Sequence, residues 1–397
     1  MGFNKDIVIL DGARTPVGTF GGAFRQVTAT QLGVVAGTAA LARAGVAPTE
    51  VDNVVFGNVL QTSADAVYQA RHIGLRCGIP REVPALTVNR LCGSGLQAIL
   101  TAGQSILLDE SQCALAGGTE NLSQAPHVLY GGRWGLDLGQ DGRLQDSLWS
   151  ALTDSYSGLS MALTAENLAE RYAISRPAQD AFALRSQQLA GAAIRAGRLA
   201  AEIVPAPGHD KRGAAIEVTA DEHPRPEVTL ESLARLKPRF KEGGTVTPGN
   251  ASGINDAAAA VVVSSHSFAA AHKLQPLGRL VSWAVVGVDP AVMGIGPAPA
   301  IRAALKRADL TLGEIDLIEI NEAFAAQYLA VEQELHLDRE RVNVNGGAIA
   351  LGHPLAASGT RLALTLLYEL RRRGGRFGVA ALCIGGGQGI AAVFERI

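Results

Sequence analysis

The chain has 397 residues, of which 47% are hydrophobic and 18% charged, with a formal net charge of −2. That length is enough for two or three domains and a large core. The charge balance excludes nucleic acid or an anionic membrane as the main partner, and no apolar run is long enough to span a bilayer.

The opening Met1-Gly-Phe-Asn-Lys-Asp6 carries neither a signal-peptide pattern nor a myristoylation motif, and Phe394-Glu-Arg-Ile397 is not a peroxisomal address. The expected compartment is the cytoplasm. Ile7–Leu10 reads as the first strand. An Ala-rich helical stretch then ends in Leu41-Ala-Arg-Ala-Gly-Val-Ala-Pro-Thr-Glu-Val-Asp52, followed by the strand Val54–Phe56 and by Asn58. Pro84–Val88 is a further strand, and Leu96, Ile99, Leu100, Ile106 and Leu107 recur roughly at helical spacing. Between them stands Val88-Asn-Arg-Leu-Cys-Gly-Ser-Gly-Leu-Gln-Ala98. Cys92 therefore falls at a strand-to-helix corner, where unpaired N–H groups and the helix dipole are expected to ionise a thiol most easily. The other cysteines are Cys77, Cys113 and Cys383, and no pair has CxxC spacing, so no metal or redox dithiol is expected.

Ala114–Ala116 is the next strand. Residues 205 to 250 are rich in proline and charge and read as a long functional loop. Ala257–Val263 looks like a buried strand, and Leu280–Val286 and Ala380–Cys383 follow. The second half then repeats the first. Leu305-Lys-Arg-Ala-Asp-Leu-Thr-Leu-Gly-Glu-Ile-Asp316 matches Leu41–Asp52, and it too leads through a strand, Leu317-Ile318, to an asparagine, Asn321. Ser94-Gly95 falls on Ser358-Gly359, and Ala116-Gly-Gly118 resembles Ile384-Gly-Gly386. These matches in one order predict a duplicated α/β unit. The expected organisation is an N-terminal domain of residues 1–120 completed by 252–273, an inserted loop domain of residues 121–251, and a C-terminal domain of residues 274–397.

Three stretches of the second half place reactive side chains beside glycines: Ile320–Ala325, Asn345–Gly359 and Leu382–Ile390. Each has an ordinary explanation when taken alone. Asn321 can cap a helix starting at Glu322, His353 can be a packed imidazole, and Cys383 can be a core thiol.

Taken together, the stretches resemble the thiolase family, and the resemblance runs the length of the chain. Arg14-Thr-Pro-Val-Gly18, Asn89-Arg-Leu-Cys-Gly-Ser-Gly95, Asn250-Ala-Ser-Gly253, Asn321-Glu-Ala-Phe324, Gly352-His-Pro354 and Cys383-Ile-Gly385 stand in the family's order. The likeness is greatest to bacterial short-chain β-ketothiolases and acetyl-CoA acetyltransferases. It implies an α/β protein with a five-layered α/β/α/β/α fold of two similar halves plus a loop domain. The implied reaction is reversible Claisen condensation of acyl-CoA units and thiolysis of short-chain 3-ketoacyl-CoA. Cys92 would carry the acyl group, with His353 as base and Cys383 moving the α-proton. Asn321 would hold a water beside His353 at the enolate oxygen, and the Gly385 and Cys92 amides would face the other oxyanion. Coenzyme A contacts are implied at Arg225, Ser232, Phe240, Ala251 and Ser252, with Met161 and Phe324 near the pantetheine and acyl group. Coenzyme A and acetyl-CoA are expected as substrates rather than resident cofactors, and a homodimer or homotetramer as the assembly. Two departures, Ser160 where many short-chain members have His and Ala356 where many have Gly, bear on acyl preference and affinity for coenzyme A. The rival readings are a ketoacyl-synthase-like condensing enzyme and a non-catalytic acyl-CoA- or lipid-binding protein.

Overall fold

The computed structural model describes residues 6–397, so the reading of the first five residues as leaderless lies outside the described part. Nine strands form the path of the main sheet: β1 (Ile7–Arg14), β2 (Asn53–Gly57), β3 (Ala85–Val88), β4 (Cys113–Asn121), β5 (Asn255–Ser265), β6 (Gly278–Gly287), β7 (Leu317–Ile320), β8 (Phe377–Ile384) and β9 (Gln388–Arg396). Their order is β7-β8-β9-β6-β1-β5-β4-β2-β3. Eight longer helices accompany them: α1 (Ala29–Ala44), α2 (Gln69–Arg76), α3 (Ser94–Leu107), α4 (Met161–Arg171), α5 (Arg176–Arg195), α6 (Pro297–Ala308), α7 (Ala325–Leu335) and α8 (Leu355–Arg373).

The sheet reads as two copies of one pattern. In the first half, β2 runs parallel to β3 and β4, and β4 is antiparallel to β5, which is antiparallel to β1. In the second, β7 is parallel to β8, then β8, β9 and β6 pair antiparallel. The place of β3 is taken by a bridge from Ile318 to Val342. The halves join where β1 meets β6, from Ile7 opposite Leu280 to Ile9 opposite Gly278. Helices α1 and α2 cover the outer face of the first half and α6 that of the second, while α3 and α8 lie between the two halves against each other. The result is five alternating layers, as the family resemblance implied, built from the two halves expected from the repeat.

Local chemistry explains the repeat. Asp52 accepts hydrogen bonds from the Gln112 and Cys113 amides at the start of β4, and Asp316 accepts from the Arg376 and Phe377 amides at the start of β8. Each aspartate clamps its strand to the next. One expected match is corrected. Gly117 and Gly118 lie within β4, whereas Gly385 and Gly386 follow the end of β8, with Gly386 at positive φ in the turn to β9. A Cβ on Gly117 would strike Phe56 and the Ala259 carbonyl of the neighbouring strands and one on Gly118 the Ala356 carbonyl of α8, whereas Gly386 is needed for its left-handed backbone.

β5 is buried along its whole length, Asn255 to Ser265. A strand covered on both faces has no solvent side to alternate toward, so it reads as a continuous small apolar run. α1 is fixed at its start by a capping box between Thr28 and Gln31 and closes on Gly45 at φ 67°. The segment between β4 and β5 holds α4 and α5, a hairpin of His127–Leu129 with Leu144–Asp146, and a second of Ala206–His209 with Ala215–Val218. The expected long loop thus contains a small ladder and the short helix Leu230–Ala234. Among the described residues no helix is long and apolar enough to cross a membrane.

The central helices touch through glycine. A Cβ on Gly95 of α3 would meet the Ala356 carbonyl and Thr360 of α8, one on Gly359 would meet Leu96, and one on Gly118 of β4 would meet the Ala356 carbonyl. Gly118→Ala must push the start of α8 away, and overpacking of this kind costs about 1–3 kcal/mol. Chemical denaturation of the variant should show that loss with an unchanged m-value.

Candidate active site

Cys92 stands between β3 and α3 on a tightly held turn. Leu91 takes a left-handed backbone at φ 46°, a conformation that costs a branched L-residue energy and needs outside support. Support comes from Asn89 Oδ1, which accepts from the Leu91 amide at 2.9 Å, and from Ser94 Oγ, which accepts from the Arg90 amide at 2.8 Å and donates to the Leu91 carbonyl at 2.6 Å. Of the four cysteines, Cys92 alone is not buried. Cys77 and Cys113 pack in the core beneath α1.

The expectation of an easily ionised thiol is corrected. Burial pushes Cys92 up to about 11, against opposing hydrogen bonds from the Gly385 and Cys92 amides. α3 begins only at Ser94, with Gly93 before it in helical conformation, so its first free amides do not converge on the sulfur. Cys383, at the end of β8, is fully buried with Met293 and Ala323, and desolvation pushes its thiol up further, with Cys92 adding to the effect. Both thiols rest as S–H.

His353 stands just before α8. Its amide donates to Asn255 Oδ1 of β5 at 3.0 Å. Ser358 Oγ lies 2.6 Å from Nδ1 and donates to the Pro354 carbonyl at 3.0 Å. Having given its proton to that carbonyl, the hydroxyl accepts from Nδ1–H, which leaves Nε2 as the basic nitrogen. Asn321 Nδ2 lies 3.3 Å from Nε2 and donates to it. Burial, with a contribution from the Arg361 charge, pushes His353 down to about 3, so the imidazole is neutral and able to take a proton. Asn321 caps no helix, because α7 begins at Ala325. Its Oδ1 is buried without a partner, leaving one acceptor for a bound group.

A cavity of about 660 Å³ leads to His353 and is lined by Met161, Arg225, Ser232, Phe240, Ala251, Ser252 and Phe324. Every side chain expected to meet coenzyme A is therefore brought to one wall. Ser160 lines it too, and its hydroxyl caps α4 by accepting from the Leu163 amide at 3.3 Å. Trp149 and His223 are among the lining residues that escaped the sequence reading. His223 had a signal, lying two residues before Arg225 in the Pro-rich stretch. Trp149 had none, since it stands on a short helix, Ser147–Ala151, outside any motif. Glu120 was also missed. Its buried carboxylate accepts from the Val59, Leu60 and Ala356 amides, tying the wall beside Cys92 to the start of α8.

Comparison with known proteins decides what this arrangement is. The family description "Thiolase, N-terminal domain" matches residues 7–267, and "Thiolase, C-terminal domain" matches residues 274–396. The chain belongs to the thiolase family. It is 52% identical over 395 residues to the mitochondrial 3-ketoacyl-CoA thiolase of Homo sapiens, covering 100% of this chain and 99% of that one. It is 48% identical over 394 residues to the beta-ketothiolase BktB of Cupriavidus necator, covering 99% and 100%. The crystal structure of the human mitochondrial enzyme in complex with CoA superposes with a TM-score of 0.97 at 51% identity, covering 100% of this chain and 99% of that chain. The protein is thus an acyltransferase of the thiolase type with coenzyme A thioesters as substrates, and the synthase-like and non-catalytic alternatives fall away. The cytoplasmic expectation is corrected as well: the mammalian relatives at about half identity are named as mitochondrial 3-ketoacyl-CoA thiolases.

Because Ser358 fixes which imidazole nitrogen is unprotonated, Ser358→Ala should lower kcat. Loss of a buried partner costs about 1–3 kcal/mol, or roughly tenfold to a hundredfold in rate. The KM for coenzyme A should barely move, and steady-state kinetics beside a melting curve would separate this from unfolding.

Proposed function

We propose that Cys92 is the acyl carrier of a 3-ketoacyl-CoA thiolase, with His353 as its base and Cys383 as the group that moves the α-proton. The observation that carries the reading is that the two thiols lie near enough to act on one another and pack behind residues of the cavity wall that His353 shares. Cys92 packs with Leu122, Leu152 and Leu355 and Cys383 with Met161 and Phe324, while the imidazole is neutral with Nε2 unprotonated. In the resting state both thiols keep their protons. Attack on a thioester forms the Cys92 S–C bond as Nε2 accepts the thiol proton. The oxygen that becomes negative meets the Gly385 and Cys92 amides, and coenzyme A leaves with the proton from His353. In thiolysis the carbon–carbon bond breaks as Cys383 gives its S–H proton to the α-carbon, and the thiolate left behind recovers the proton that His353 took from Cys92. Condensation runs these transfers in reverse, with the enolate oxygen facing His353 and a water on Asn321. A cysteine thioester lies close in energy to the coenzyme A thioester, so acyl transfer runs in either direction.

We assign residues 121–251 to a loop domain that grips coenzyme A, between an N-terminal domain of 1–120 with 252–273 and a C-terminal domain of 274–397. Arg225 suits the nucleotide phosphates, and its amide is fixed by Gln187 Oε1 at 2.7 Å. The substrates are short 3-ketoacyl chains of roughly four to six carbons, a reading supported by the motif likeness to short-chain members. A homodimer or homotetramer is supported by the exposed Trp134, Leu136, Leu138 and Leu144 around the first hairpin, since an apolar patch of this kind marks an association face.

The decisive experiment separates the two thiols. Cys383→Ala should still take an acetyl group from acetyl-CoA onto Cys92, detected by peptide mass mapping. It should lose thiolysis of acetoacetyl-CoA by a general acid–base factor of roughly 10²–10⁴. Surviving turnover would make Cys383 a packing residue. In the wild type, rates across acetoacetyl-CoA, 3-ketovaleryl-CoA and longer substrates should fall beyond six carbons, and a rising series would overturn the chain-length reading. Light scattering should give a multiple of the 41.2 kDa chain mass, and a monomer would remove the assembly proposal.

A further inference from the structure

The acceptor that holds the His353 amide is itself held from the wall of the coenzyme A cavity. Asn255, at the start of β5, is fully buried, and its Oδ1 accepts from the His353 amide at 3.0 Å. That contact fixes which way round the carboxamide lies, so both donors of Nδ2 face the other side. One goes to the Gly18 carbonyl at 3.0 Å, and the other points at Nδ1 of His223, 3.4 Å away. With a donor facing Nδ1, that nitrogen is the acceptor and the ring proton sits on Nε2. Burial and the Arg225 charge hold His223 below the usual imidazole range, which agrees with a neutral ring.

Two glycines make room for this link, and no step of the chemistry above uses either. Gly253 closes the Asn250-Ala-Ser-Gly253 block. A Cβ there would lie 2.2 Å from His223 Cε1 and 2.8 Å from Asn255 Oδ1. Gly352, at φ 97°, leaves space on the other side, where a Cβ would come within 2.6 Å of Asn255 Cγ and Oδ1. His223 also stands in the segment that grips coenzyme A. It lines the cavity with Arg225, whose amide donates to Gln187 Oε1, while Gln187 Nε2 donates to the Ile349 carbonyl at 3.3 Å. Ile349 lies on the short helix Ala348–Leu351 that leads to His353.

We propose that His223 is a positioning residue for the base: its Nδ1 holds the Asn255 carboxamide, and Asn255 holds the His353 amide. The inference rests on His353 being the base and deepens that reading. Without the acceptor at Nδ1, Asn255 keeps a buried donor with no partner, and the carboxamide turns to find one. The turn takes Oδ1 away from His353. One short segment, His223 to Arg225, thus both faces coenzyme A and aims the imidazole.

The test uses the whole enzyme and three substitutions at one position. His223→Gln and His223→Phe keep bulk but place no acceptor where Nδ1 stands, whereas His223→Asn puts a carbonyl oxygen there. In thiolysis of acetoacetyl-CoA, the first two should lose roughly tenfold to a hundredfold in kcat, with the KM for coenzyme A moving less than about threefold. His223→Asn should recover most of that loss. Melting curves identify any variant that does not fold, and His223→Phe and His223→Gln stand in for each other in that case. Equal losses in all three variants would make His223 a packing residue, and a raised KM at unchanged kcat would make it a coenzyme A contact only. Either result overturns the proposal. His353→Ala, run alongside, tests the reading beneath it. If that variant keeps its turnover, the base assignment falls and this inference with it. An inactive His353→Ala beside unimpaired His223→Gln and His223→Phe removes the inference alone.

Discussion

The contact of α3 with α8 is the constraint on which the rest depends. Each helix is preceded by one reactive side chain, Cys92 before α3 and His353 before α8, and each belongs to a different half of the chain. The halves can share a site only if these two helices approach closely, and Gly95, Gly359 and Gly118 remove the side chains that would hold them apart. Polar links then cross the junction at the same level. Glu120 and Asn255 from the first half hold the Ala356 and His353 amides of the second, and the Gly385 amide of the second reaches the Cys92 thiol of the first. An error of packing in the middle layer therefore becomes an error of catalytic geometry.

Burial sets the chemistry as strongly as contact does. In a dry site neither a thiolate nor an imidazolium is stable at rest, so the resting pair is neutral and charge appears only with substrate in place. That arrangement keeps the thiol protonated at rest, and under the proposed mechanism two fixed amides meet the oxygen that becomes negative at no cost of reorienting water. The same dryness explains the many bonds around Ser94, Ser358 and Glu120, since each polar group near the site must find its partner inside the protein.

Much of this was legible in the sequence because it depends on short-range order. The strand-to-helix corner at Cys92, the small-residue strand β5 and the matching segments ending in Asp52 and Asp316 all show in local spacing, and the motif blocks brought the cavity residues with them. What was not legible depends on distance in space. The ease of ionising Cys92 was misjudged because helix position is local, whereas desolvation comes from β8 and the cavity walls hundreds of residues away. Glu120 lies within an apolar strand and looks unremarkable until Leu60 and Ala356 are seen to donate to it. Trp149 reaches the cavity only because the inserted segment folds back over it.

The position of β5 also bears on how the chain is made. It sits between β1 and β4, yet its residues, 255 to 265, follow the whole inserted segment. As the polypeptide leaves the ribosome, β1 and β4 emerge long before the strand that must separate them. Each then presents a bare, apolar edge that can pair wrongly with the other or with a neighbouring chain. The inserted segment thus delays closure of the first half. During synthesis the nascent protein carries two open edges for the time it takes to add more than a hundred residues, and it is a natural client for a chaperone that shields strands.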